Sequence, residues 1–145
     1  MLYVDTSFLA PLTLPEATSE AIAAFVRDLN GDELTVSRWT EVEFCSLLAR
    51  EVRMGGLDRR AAVQAATRFE AMLSGSFSII LPLADDFSLA RQNLGKFATG
   101  LRAGDAFHLA IASNHRARTV YSLDKAMVRA GEILGIPVSV GIQTK

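Results

Sequence analysis

Leu2-Tyr3-Val4-Asp5-Thr6-Ser7 opens the chain as three apolar residues closed by an acid and two hydroxyls. A short apolar run suits a buried strand, and Asp, Thr and Ser carry the oxygens that cap a following helix. Thr119–Leu123, near the other end of the chain, reads as another strand, with Asp124 after it. Between them, strands are expected at Glu33–Ser37 and Phe77–Leu83, and a last one at Val138–Val140 after Gly135-Ile136-Pro137. Strands that alternate with helices imply an α/β fold, a mostly parallel central sheet with helices on both faces.

The helices read from periodicity and stop signals. Pro15 and Glu16 open one through Leu29, with Ile22, Phe25, Val26 and Leu29 on one face and Asn30-Gly31 ending it. Trp39–Met54 follows, stopped by Gly55-Gly56; Asp58 caps the next, which runs to about Leu73 and breaks at Ser74-Gly75. Ala84–Ala98 and Ala103–Asn114 are split by Thr99-Gly100, and Asp124 caps a helix through Leu134. With no repeat, low-complexity segment or linker, residues 1–145 are expected to form a single domain.

Bulk properties narrow the partners. At 145 residues and 50% hydrophobic content, the chain can bury a real core. The net charge of −1 argues against a generic polyanion binder, so any attraction to nucleic acid must come from local basic patches or bound cations. One cysteine, Cys45, excludes an internal disulfide framework and a multi-cysteine zinc site. There is no apolar run of the roughly 18–20 residues that would span a bilayer. Met1–Asp5 shows no basic leader or small-residue cleavage site, so a cytoplasmic address and no membrane partner are expected.

Four acids draw attention. Asp5 and Asp124 follow strands, Asp105 opens an apolar helix, and each could serve only as a cap or dipole partner. On the Trp39–Met54 helix, Val42, Cys45, Leu48, Ala49 and Val52 suggest the buried stripe, with Cys45 a core thiol. Glu41 falls within that stripe and Glu43 off it, so periodicity alone reads Glu43 as a solvated carboxylate. Taken together, these acids can converge on the rim where strands pass into helices. Crowded carboxylates repel unless cations neutralise them, and oxygen-only ligands suit Mg²⁺ or Mn²⁺.

Val4-Asp5-Thr6-Ser7, Ser37-Arg38-Trp39-Thr40-Glu41-Val42-Glu43-Phe44, Ala103-Gly104-Asp105-Ala106-Phe107-His108-Leu109-Ala110 and Val120-Tyr121-Ser122-Leu123-Asp124 resemble, in order, the motifs of PIN-domain nucleases. They look most like those of VapC-type toxins of bacterial toxin–antitoxin pairs. The resemblance covers essentially the whole chain. It implies a Rossmann-like three-layer α/β/α sandwich and a Mg²⁺-dependent endoribonuclease in which Mn²⁺ can substitute. It places the metal and catalytic carboxylates at Asp5, Glu43, Asp105 and Asp124. It also implies supporting hydroxyls at Ser7 and Ser122, the latter where many relatives carry Thr. A cognate protein antitoxin and a homodimer are implied as well. The high apolar content of the helices between Trp39 and Leu73 points the same way.

Two rivals differ in class. An aspartyl phosphatase of the haloacid-dehalogenase type needs a second Asp two residues after Asp5, where Ser7 stands. A non-catalytic PIN-like binding module would use the acids only as caps, and the complete acid set argues against it. Among other features, His108 is expected to make a local hydrogen bond or orient a ligand. Arg50, Arg53, Arg59 and Arg60, with Arg102, Arg116 and Arg118 near the Asp105 helix, offer ordinary surface or phosphate attraction. Phe69, Met72 and Leu73 are expected in the core or lining a partner groove.

Overall fold

Alternation along three short strands separates two cores. In the computed structural model, which describes residues 1–29 and 33–143, β1 (Leu2–Val4) turns Leu2 and Val4 to one face of the sheet and Tyr3 to the other. Leu34 and Val36 of β2 (Leu34–Ser37) join the first face, and Val120 of β4 (Thr119–Tyr121) joins the second. The first core is closed by α1 (Thr6–Leu9), α2 (Ser19–Asp28), α3 (Arg38–Arg53) and α4 (Arg59–Ser76). The second is closed by α5 (Ala84–Leu94), α6 (Ala103–Asn114) and α7 (Lys125–Leu134). This is the expected three-layer α/β/α sandwich.

β3 (Ser78–Ile80) and β5 (Val138–Ser139) complete a sheet of order β3-β2-β1-β4-β5, in which every pair runs parallel. β1 is central, with Tyr3 opposite Thr35 on one side and Val120 on the other. The chain builds outward from β1 through β2 to β3, then crosses to β4 and β5 on the other flank. Strand order therefore reverses between β1 and β4. In such sheets a crevice opens there, beyond the carboxyl ends of the strands.

Local chemistry sets most boundaries. Asp58 caps α4 by accepting from Ala61 N–H at 2.7 Å, and Asp124 caps α7 by accepting from Ala126 N–H at 2.8 Å. Gly135, at a φ of 70°, ends α7 in the left-handed region that favours glycine. α6 is buried continuously from Ala106 to Ala112, as expected of a helix apolar all round.

Several expectations need correction. Ser74-Gly75 does not break α4, which runs on to Ser76 because Gly75 keeps a helical backbone. α2 starts at Ser19 rather than Pro15, and its expected Asn30-Gly31 stop lies outside the described residues. The buried stripe of α3 is Thr40, Phe44 and Leu48; Cys45 and Ala49 are exposed, and Val42 is 55% exposed. The reason is Phe44, which stacks on Phe69 of α4 with ring centroids 3.8 Å apart. A buried aromatic gains more than any one of the smaller residues, adds the stacking contact, and so sets the helix's rotation. Glu41 accordingly leaves the core and pairs with Arg38 at 2.8 Å on the surface. Phe69 and Leu73 are core, with Met72 packed against them. Among the described residues, no helix is long and apolar enough to cross a membrane.

Candidate active site

Asp5 lies where β1 passes into α1, 3% exposed. Its Oδ1 accepts from Ser7 Oγ at 2.8 Å and from Phe8 N–H at 3.0 Å, and its Oδ2 accepts from Ser122 Oγ at 2.6 Å. Leu123 N–H donates to Ser7 Oγ at 3.0 Å, and Asp124 N–H donates to Ser122 Oγ at 3.1 Å. The two serines thus tie the carboxyl ends of β1 and β4 together across the point where strand order reverses. A carboxylate offers about four lone-pair positions, so three donors leave Asp5 one acceptor position. Burial pushes the Asp5 carboxyl above its ordinary range, against the pull of His108 and the two serines.

Asp124 caps α7 through Oδ1, which leaves Oδ2 for other partners. Asp105 sits in the first turn of α6. Burial, followed by the negative charges of Asp124, Asp5 and Glu43 in that order, pushes its carboxyl up to about 6. Four acids contributed by β1, α3, α6 and the end of β4 therefore act on one another at a single rim.

Glu43 reaches this rim from α3. Its Oε1 accepts from Thr6 Oγ1 at 2.7 Å and from the His108 ring at Nε2. Burial raises its carboxyl, but the hydrogen bond and charge of His108, with Thr6, outweigh that and hold it below the ordinary range. Gly104 leaves it room: a Cβ there would stand 2.5 Å from Glu43 Oε2, so the carboxylate would have to shift. The glycine preceding Asp105 clears the path by which a glutamate from another helix joins the cluster.

Among the described residues, no three His, Cys, Asp or Glu side chains already form a cage that could hold an ion. The donor set nevertheless fits a hard divalent cation. It is all oxygen, it leaves unshared lone pairs on Asp5, Asp105 and Asp124, and its mutual repulsion adds to burial in raising Asp105. Asp5, Asp105, Asp124 and Glu43 are the residues that would hold such an ion.

Sequence reasoning undervalued three neighbours. His108, 1% exposed, is no local helix hydrogen bond: its ring bridges Glu43 and the Tyr3 hydroxyl, the latter at 2.7 Å from Nδ1. Thr6 was legible only as part of a capping run, and Tyr3 only as a buried strand residue. The arginines expected near Asp105 divide. Arg102 precedes α6 at the rim, whereas Arg118 lies at the opposite end of the sheet, pairing with Glu33 at 2.6 Å and donating its N–H to Met1 O.

A profile of the PIN domain matches residues 2–133, and the chain belongs to the PIN-domain family. Solved structures share the fold. VapC20 of Mycobacterium tuberculosis, described as a sarcin–ricin loop cleaving toxin, is 23% identical, with 90% of this chain and 95% of that one covered and a TM-score of 0.67. FitAcB of Neisseria gonorrhoeae is 19% identical over 95% and 96% of the two chains, with a TM-score of 0.69. VapBC2 of Rickettsia felis, solved with a promoter DNA fragment, is 11% identical over 96% and 98%, with a TM-score of 0.66. No match is found among curated proteins.

Proposed function

We propose that residues 1–145 form one Mg²⁺-dependent endoribonuclease domain, the toxin of a toxin–antitoxin pair, acting in the cytoplasm. The observation that carries this reading is the gathering of four acids, in which the Asp105 carboxyl is pushed up to about 6, first by burial and then by the charges of Asp124, Asp5 and Glu43. Repulsion of that kind is costly in a metal-free fold and is relieved when a cation shares the oxygens. A hard divalent ion, Mg²⁺ or Mn²⁺, would supply positive charge for a phosphodiester transition state and lower the pKa of water.

The chain's own residues then have distinct tasks. Ser7 and Ser122 hold Asp5 in one orientation. Asp105 and Asp124 present acceptor oxygens at two helix starts, where backbone dipoles favour negative charge. Glu43 completes the rim from α3, and Arg102 at its edge offers a positive charge to phosphate. RNA is the proposed substrate, in keeping with the activity described for VapC20.

The proposal includes a protein antitoxin and a homodimer. Val42, Met54 and Val63 on and beside α3 and α4, and Leu81, Leu83 and Phe87 at α5, are large apolar side chains left exposed. Such faces suit protein partners. Similar folds have been solved as the FitAB and VapBC complexes. The test is cleavage of RNA by the purified protein in Mg²⁺, set beside Asp124→Asn. Loss of cleavage by orders of magnitude in the folded variant is expected. Equal rates would overturn the reading.

A further inference from the structure

The second core contains a polar chain that the acid cluster alone does not require. The Tyr3 hydroxyl, on a residue with no exposure, lies 3.0 Å from Ser37 Oγ and 2.7 Å from His108 Nδ1. Ser37 closes β2, Tyr3 sits in β1, and His108 stands on α6 between Phe107 and Leu109, both buried. Burying three polar side chains among apolar neighbours is costly unless each is satisfied. An apolar residue at any of these positions would pack without that cost. The chain leads to one place: the far ring nitrogen of His108, Nε2, meets Glu43 Oε1.

Glu43 is the acid most in need of such support. Asp5 and Asp124 are short side chains, each locked as a helix cap by backbone N–H groups. Glu43 has a longer, freer side chain and receives no backbone hydrogen bond at its carboxylate from the groups that hold it here. Thr6 and His108 hold Oε1 from two directions, and Gly104 leaves room for Oε2. Ring stacking adds rigidity, since the Tyr3 and His108 rings meet edge to face with centroids 5.7 Å apart.

We propose that His108, braced by Tyr3 and Ser37, is a positioning residue that fixes the Glu43 carboxylate within the acid cluster. The inference rests on the metal-dependent reading of that cluster and adds a residue that acts through another rather than on substrate.

The experiment is a double-mutant cycle read as Mn²⁺ affinity by calorimetry, with thermal melting to establish folding. His108→Leu removes the ring nitrogens, His108→Gln retains a donor, and Tyr3→Phe removes only the brace. Expected is a loss of affinity on the order of tenfold for His108→Leu, as for other groups that orient metal ligands. His108→Gln should recover part of it, and Tyr3→Phe should show a smaller loss. In a Glu43→Gln background, neither His108→Leu nor Tyr3→Phe should cost anything further. Tyr3→Phe keeps the core's shape and carries the test by itself should His108→Leu fail to fold. Equal losses with and without Glu43→Gln, or unchanged affinity in folded variants, would overturn the inference while leaving the nuclease reading intact. A parent protein that neither binds Mn²⁺ nor cleaves RNA would overturn both.

Discussion

Ser122 Oγ stands 2.6 Å from Asp5 Oδ2, a hydrogen bond between residues 117 positions apart that joins the ends of β4 and β1. Both side chains are buried, so this bond holds a carboxylate out of water at the one place where strand order reverses. It also turns Ser122 into the acceptor for Asp124 N–H, so one hydroxyl sets the geometry of two acids.

Ser122→Ala should therefore weaken both fold and site. Leaving a buried carboxylate short of one donor costs about 1–3 kcal/mol. At roughly 2–4 °C per kcal/mol for a chain of this size, melting should fall by several degrees. Cleavage should drop by about tenfold or more. Melting and initial rates on the same preparation test both, and an unchanged rate would show that Asp5 is held well enough by Ser7 and Phe8.

Asp105→Asn should move stability and activity in opposite directions. A carboxyl raised to about 6 in the fold favours the native state below its unfolded value near 4, and that contribution is lost as pH rises through 6. At pH 7.5 the ionised side chain is thus a burden on the metal-free protein, and Asn removes it. Asp105 is partly exposed, so solvent screening reduces the gain to about 1 kcal/mol. The metal-free variant should melt a few degrees higher at pH 7.5 and no higher at pH 4, while cleaving RNA orders of magnitude more slowly. A lower melting point at both pH values would contradict the repulsion.

Cleavage at limiting Mg²⁺ should rise with pH through about 6 as Asp105 loses its proton. Glu43, held below the ordinary carboxylate range, is already ionised there. Cations compete with protons for the same oxygens, so added Mg²⁺ should shift the midpoint downward. A profile that does not move with Mg²⁺ would separate the titrating group from the metal site.

Glu43 and Glu41 should part company. Glu43→Gln keeps the shape but removes the charge that His108 and Thr6 hold, and activity should fall by orders of magnitude. Glu41→Gln breaks only a surface pair with an exposed arginine, worth about 0–1 kcal/mol, so rate and melting should both stay close to the parent's. Rate assays on the two variants distinguish them.

How much of this is legible in the sequence depends on the range of the interaction concerned. The bounds of α6 and α7 match the sequence reading because Gly100, Asp124 and Gly135 act within about a turn of where they stand. The parallel sheet follows from the alternation of strands and helices. Asp5 and Asp124 read as caps or as site residues, and the structure uses them as caps while leaving acceptor positions toward the rim. The stripe of α3 misleads because five small or medium residues suggest one rotation, while stacking of Phe44 on Phe69, a contact across two helices, imposes another. For His108 a local hydrogen bond and the orienting of a ligand are both open readings, and its actual partners are invisible for the same reason. Its partners lie 65 and 105 positions away, and nothing in its local pattern announces them.

The most direct test of the acid cluster as a metal-dependent nuclease site is the rate of RNA cleavage by the parent protein in Mg²⁺ and in excess EDTA, with Asp105→Asn alongside. Cleavage should be robust in Mg²⁺, return when Mn²⁺ replaces it, and vanish in EDTA and in the folded variant. Cleavage that persists undiminished in EDTA, or in Asp105→Asn, would contradict it.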